Sequence, residues 1–107
     1  MIVAADDFSG ASEVAGVAWR FGLRATVVLG MPRTFPKGTD ALAVDLGTRA
    51  LDEMTAENRW RDFAGWICKE PGRKVYKKTD SVLRGHVAAE LRACLAGGPW
   101  NRALLVP

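Results

Sequence analysis

Five short apolar runs alternate along the chain with stretches in which apolar side chains recur every three or four positions. IVAA at 2–5 runs straight into Asp6 and Asp7, the pattern of a buried strand ending in a polar turn. ATVVLG at 25–30 and ALAVDL at 41–46 repeat it. KVYKK at 74–78 is a shorter, less apolar version, and RALLVP at 102–107 is the last. Pro32, Pro36 and Gly38 mark an irregular loop between the second and third runs. Val14, Ala15, Ala18 and Phe21 have helical spacing behind Ser9 as a cap, with Gly22 as the stop. Trp60, Phe63, Ala64 and Ile67 define a second helix over roughly 55–69, capped by Thr55 and ended by Pro71 and Gly72. A third turns Val87, Ala88, Leu91 and Leu95 inward and stops at Gly97, Gly98 and Pro99. The order β-α-β-β-α-β-α-β, with mostly continuous apolar strands, predicts an α/β fold: a three-layer sandwich around a mostly parallel sheet. The final strand closes on Pro107 with no helix to cover its edge, so an incomplete domain is expected.

A length of 107 residues suits a single core. Apolar residues at 49% and charged residues at 25% match an ordinary globular protein and exclude a disordered chain. The net charge of +3 is spread along the sequence rather than massed in a block, which favours a small anionic ligand over nucleic acid. Cys68 and Cys94 lie far apart, without a CxxC pattern or companion histidines, so they are expected to fill apolar helix faces in a reducing compartment, not to bind zinc or carry redox chemistry. The four tryptophans read as core or interface aromatics, and the lone His86 as a surface or packing residue. No leader pattern and no membrane-length apolar run is visible, so the expectation is a cytoplasmic protein with no membrane partner.

In an open parallel sheet ligands bind beyond the carboxyl ends of the strands. Here those positions are Asp6, Asp7, Ser9 and Gly10 after the first strand, and Asp45, Thr48 and Arg49 after the third. Lys77, Lys78, Asp80, Ser81 and Arg84 surround the end of the fourth. Such a mixture suits a polyhydroxy acid, because Arg or Lys pairs with a carboxylate while Asp accepts hydrogen bonds from hydroxyls. Gly10, beside a helix start, would let backbone N–H groups approach an anion. Each residue also has a plainer reading: Asp6 and Asp7 as helix N-terminal charge, Ser81 as a cap, Arg49 and Arg84 as solvated charges. Lys77 and Lys78 must point to opposite faces of their strand, so one of them is structural or exposed.

DDFSGASE (6–13), DLGTR (45–49) and KKTDSVLRGH (77–86) together resemble the N-terminal motifs of the four-carbon acid-sugar kinase family. Val82 stands where that family usually has Thr, and His86 where it usually has Asn. The resemblance implies a two-domain kinase that moves the ATP γ-phosphate onto the terminal hydroxyl of threonate, erythronate or an oxo-tetronate. The N-terminal region, covering this whole chain, would bind the sugar acid, and a C-terminal region the nucleotide. ATP and Mg2+ are then implied for the longer enzyme and not for these residues, which contain no P-loop and no expected metal ligands. Asp7, and behind it Asp6, are the catalytic candidates, accepting the proton of the reacting hydroxyl. Arg49 and Lys78 would hold the carboxylate or other oxygens, and Asp80, Ser81 and Arg84 complete the polar wall. Ser9, Gly10 and Thr48 are the remaining substrate-binding candidates, and a homo-oligomer stays open.

Two rivals come from other classes. A receiver-like phospho-acceptor domain would use Asp6, Asp7, Asp45 and Thr79, but LGTR after Asp45 does not fit it and no fifth-strand lysine follows. An inactive α/β interaction module is the other.

Overall fold

The computed structural model describes residues 1–106. Its elements are β1 (Ile2–Ala5), α1 (Phe8–Arg20), β2 (Ala25–Leu29), β3 (Ala41–Asp45), α2 (Glu53–Ile67), β4 (Val75–Lys78) and α3 (Val87–Gly97). All strand pairs are parallel, in the order β2-β3-β1-β4. The predicted α/β class with a parallel sheet is therefore present. A receiver domain has the order 2-1-3-4-5, so that reading does not survive the sheet. No described helix is long and apolar enough to cross a membrane.

The chain divides into two compact units, Met1–Gly47 with Gly72–Thr79, and Thr48–Pro71 with Asp80 onward. In the first unit α1 lies on the sheet through small side chains, Ala11 and Ala15 meeting Ala5 and Ala43, with Ala25 alongside. Alternate strand residues face the other way, and there Ile2, Ala4, Leu42 and Val44 are wholly buried. Burial on both faces is why β1 and β3 are continuous apolar runs without alternation. Ala5 is in register with both Asp45 and Lys78, so β1, β3 and β4 end level.

The second unit is a helix pair. Ala56, Trp60, Phe63, Ala64 and Ile67 form the buried face of α2 as the spacing predicts. On α3 the buried residues are Ala89, Glu90 and Ala93, whereas Ala88 is exposed and Val87, Leu91 and Leu95 are only partly buried. Closeness of approach decides this: a Cβ added to Gly97 would stand 3.0 Å from the Arg61 carbonyl oxygen and 3.4 Å from the Ala64 Cβ. The stripe Ala89, Ala93, Gly97 is what fits there, and volume outweighs hydrophobicity.

Other expectations are corrected in the same physical terms. Asp7 and Asp52 cap α1 and α2, accepting the N–H groups of Gly10 and Thr55 at 2.9 Å each. Ser9 and Thr55 lie inside those helices, because Asp7 and Asp52, two and three residues upstream, already cap them with a side chain that also bears a charge. Phe21 sits past the end of α1 and is 82% exposed. Trp19 is exposed too, unlike the core residue Trp60. Cys68 is exposed and Cys94 half-buried, so neither is core filling in the expected sense. Residues 102–106 form no ladder, and Leu104 and Val106 are exposed. An apolar run becomes a strand only by pairing, which pattern alone does not reveal. Pro107, the last residue of that predicted strand, lies outside the described residues.

Candidate functional site

Each unit gathers its own group of the predicted residues. In the first, β1 delivers Asp6 into a buried position, 2% exposed, and Asp7 to the start of α1. Asp7 Oδ1 accepts the Gly10 N–H and the Asp7 carbonyl accepts the Ala11 N–H at 3.2 Å. Gly10 is needed at this point: a Cβ would lie 3.0 Å from Asp7 Oδ1 and 3.2 Å from Lys78 Cγ. The stem of Lys78 therefore passes over the first turn of α1, and its ammonium donates to the Thr79 carbonyl at 3.0 Å and faces Glu13 Oε2 at 3.3 Å. Lys77 points to the opposite face by strand alternation. Asp45 Oδ1 accepts the Gly47 N–H at 2.7 Å, folding the chain into a tight turn as β3 ends. Ser9 is exposed on the first turn of α1. Asp7, Gly10 and Lys78 are thus brought together, with Glu13 as a member that the strand-end argument did not reach.

In the second unit the centre is Asp80, 8% exposed. Its Oδ2 accepts the N–H groups of Val82 and Arg84 at 3.1 and 3.2 Å and Arg84 Nε at 3.0 Å, and its Oδ1 accepts Arg84 Nη2 at 2.6 Å. Arg49 Nη1 stands 3.6 Å from the same Oδ1. The Arg84 guanidinium, helped by the two backbone N–H groups, holds the Asp80 carboxyl well below the usual carboxylate range, against the opposing pull of burial. This carboxylate is occupied by its own loop, so its part in a site is to arrange two guanidinium groups. The loop turns tightly enough that Leu83 is left-handed, φ 58°, which costs an ordinary residue about 1 kcal/mol. Ser81 is exposed in it.

Thr48 is 0% exposed. Its hydroxyl donates to Glu90 Oε1 at 2.6 Å and accepts Trp60 Nε1–H at 3.0 Å, so its polar capacity is turned inward and not toward a ligand. Sequence reasoning missed Glu90, a wholly buried carboxylate; the one available signal was its place beside Ala89, on a stripe otherwise of small residues. Among the described residues no three of His, Cys, Asp and Glu are grouped to hold a metal ion.

A parallel α/β domain with carboxylates at its strand ends, and with two guanidinium groups collected on one buried carboxylate, is the class that the fold and these residues define. The chain belongs to the sugar-binding N-terminal domain family, which it matches over residues 1–107, the sugar-binding part of the four-carbon acid-sugar kinases. It is 31% identical to a D-threonate kinase of Salmonella typhimurium over 106 residues, 98% of this chain and 25% of that protein. It is 29% identical to a 3-oxo-tetronate kinase of Escherichia coli over 90 residues, 79% of this chain and 23% of that protein. A crystal structure of a domain of unknown function from Bordetella bronchiseptica, with bound citrate and as a domain-swapped dimer, superposes with a TM-score of 0.82. It is 27% identical and covers 90% of this chain and 25% of its own. The chain spans about a quarter of the length of these relatives.

Proposed function

We propose that this chain binds the four-carbon acid sugar, such as threonate, erythronate or an oxo-tetronate, in an ATP-dependent kinase that phosphorylates the sugar's terminal hydroxyl. The observation that carries the reading is the pair of guanidinium groups around Asp80. Arg84 binds both oxygens of the Asp80 carboxylate and Arg49 Nη1 approaches the same group at 3.6 Å, so two guanidinium groups are gathered at one place, the side-chain type that pairs with a sugar-acid carboxylate. The names of the relatives point to the same substrate class, and the Bordetella relative was solved with citrate, itself a hydroxylated carboxylate.

In this reading Arg49 and Arg84 hold the carboxylate, and Lys78 steadies another oxygen. Asp7, with Asp6 behind it, accepts the hydrogen bond of the terminal hydroxyl and takes up its proton as the oxygen becomes a nucleophile. Ser9, Ser81 and the backbone at Gly10 supply further polar contacts. ATP and Mg2+ belong to the longer enzyme. A cytoplasmic location is part of the same reading, and the domain-swapped dimer of the Bordetella relative makes self-association worth measuring.

Titration calorimetry with D-threonate, D-erythronate and the neutral tetritol threitol tests it. The acids are expected to bind and threitol not to. Arg49→Ala is expected to weaken the acids by about tenfold or more, the scale of a lost charge-assisted hydrogen bond. Equal binding of threitol, or silence with every acid, would sink the proposal.

A further inference from the structure

The turn that carries Arg49 is fastened at both ends, and α3 reaches both. Leu51 N–H donates to the Thr48 carbonyl at 3.1 Å, which makes Arg49 the second residue of a four-residue turn. At the opening end Glu90 Oε1 takes the Thr48 hydroxyl at 2.6 Å. At the closing end His86 Nε2 lies 2.7 Å from the Leu51 carbonyl oxygen; a carbonyl only accepts, so Nε2 carries the proton. The other ring nitrogen, Nδ1, faces Glu53 Oε2 at 3.9 Å, and Arg92 Nη2 approaches Glu53 Oε1 at 3.6 Å. His86 and Glu90 are themselves joined by a helical bond, Glu90 N–H to the His86 carbonyl at 2.9 Å. One turn of one helix therefore sets both ends of the segment that presents the guanidinium.

The Glu90 contact is not what packing alone would select. A wholly buried carboxylate is costly to desolvate, and an apolar side chain of similar size would fill the same space without that cost. A long cationic side chain also loses much rotamer freedom when a ligand immobilises it, and a turn fixed beforehand lowers that loss. We infer that His86 and Glu90 are positioning residues that hold Arg49 ready for the substrate carboxylate, a role that rests on the sugar-acid reading above. Neither residue is assigned a contact with the sugar.

Two measurements on the full chain test this, with His86→Ala, His86→Gln, Glu90→Leu, Arg49→Ala and the double variants of Arg49→Ala with each α3 loss. NMR relaxation of the Arg49 Nε–H without ligand reads the clamp itself, and calorimetry with D-threonate reads its consequence. His86→Ala and Glu90→Leu are expected to lower the Arg49 order parameter and weaken D-threonate about five- to tenfold. His86→Gln keeps a donor at the reach of Nε2 for the Leu51 carbonyl and is expected to restore both. In the Arg49→Ala background the α3 changes should cost nothing further, which a general structural role would not produce. An unchanged order parameter in His86→Ala, or losses that add fully to that of Arg49→Ala, overturns the inference even if Glu90→Leu fails to fold. Absence of D-threonate binding by the unaltered chain is a different result: it removes the sugar-acid reading and the substrate role with it, whatever the relaxation data say of the clamp.

Discussion

Asp80 and Arg84 meet through two parallel bonds across four residues, Nη2 to Oδ1 at 2.6 Å and Nε to Oδ2 at 3.0 Å. The same carboxylate folds its loop by taking the Val82 and Arg84 N–H groups. Loop shape and guanidinium placement thus depend on one ionised group.

That dependence has a sign in pH. The native Asp80 carboxyl titrates below its unfolded value, which is about 3.9 for an ordinary Asp. Its contribution to stability is therefore complete above that range and is lost as pH falls below it toward the depressed native value. Asp80→Asn is expected to lower the melting temperature at neutral pH and to flatten the fall of the melting temperature in acid. Melts recorded from about pH 6 to pH 3 check this. Some slope should remain, because Asp40 and Asp52 are also held low by their hydrogen bonds with Arg24 and Thr55. An acid slope identical in the two proteins would contradict the prediction.

Two glycines of α1 should respond oppositely to alanine. Gly16 is exposed and has nothing within 4 Å of an added Cβ, so Gly16→Ala is expected to stabilise by about 0.5–1 kcal/mol through the unfolded chain and helix propensity. Gly10→Ala gains the same propensity but presses on Asp7 Oδ1, which cannot retreat without loosening the cap, and on the Lys78 stem. Its net effect is expected to be a loss of about 1 kcal/mol. Urea midpoints of the two variants are the check, and a stabilised Gly10→Ala would show that the first turn has room.

At Thr48 shape and hydrogen bonding make opposite forecasts. Thr48→Val preserves volume, yet removes the partner of both Glu90 and Trp60 in a dry site, and is expected to cost about 2–4 kcal/mol. Thr48→Ser leaves a gap but keeps the hydroxyl, and is expected to cost about 1 kcal/mol. Chemical denaturation that ranks Ser as the worse substitution would mean the network matters less than the methyl group.

The sequence pattern was most informative where one force dominates. β1 and β3 are buried on both faces, so their apolar runs could hardly be anything but central strands, and the Trp60, Phe63, Ala64, Ile67 spacing located the face of α2. It was least informative where distance decides. Nothing in a periodicity says that α3 approaches α2 closely enough to prefer Ala89, Ala93 and Gly97 over Leu91 and Leu95, or that 102–106 stays without a neighbour. Among the candidate residues, strand-end placement brought out Asp7, Gly10 and Lys78 in one unit and Arg49, Asp80 and Arg84 in the other. It misjudged the direction in which Thr48 points, and it could not reach Glu90, whose bond to Thr48 joins residues from distant parts of the sequence.

The strand order has a kinetic side. β1 is made first, yet its partners are β3 and, with Ile2 opposite Val75, β4. The greasy IVAA segment therefore waits for β3 to gain its first neighbour and keeps its other edge unpaired until β4 has emerged, and pairings of such long range form slowly. During synthesis the early chain is the stretch most in need of shielding, so conditions that slow translation near β4 should lower the soluble yield before they alter any property of the finished protein.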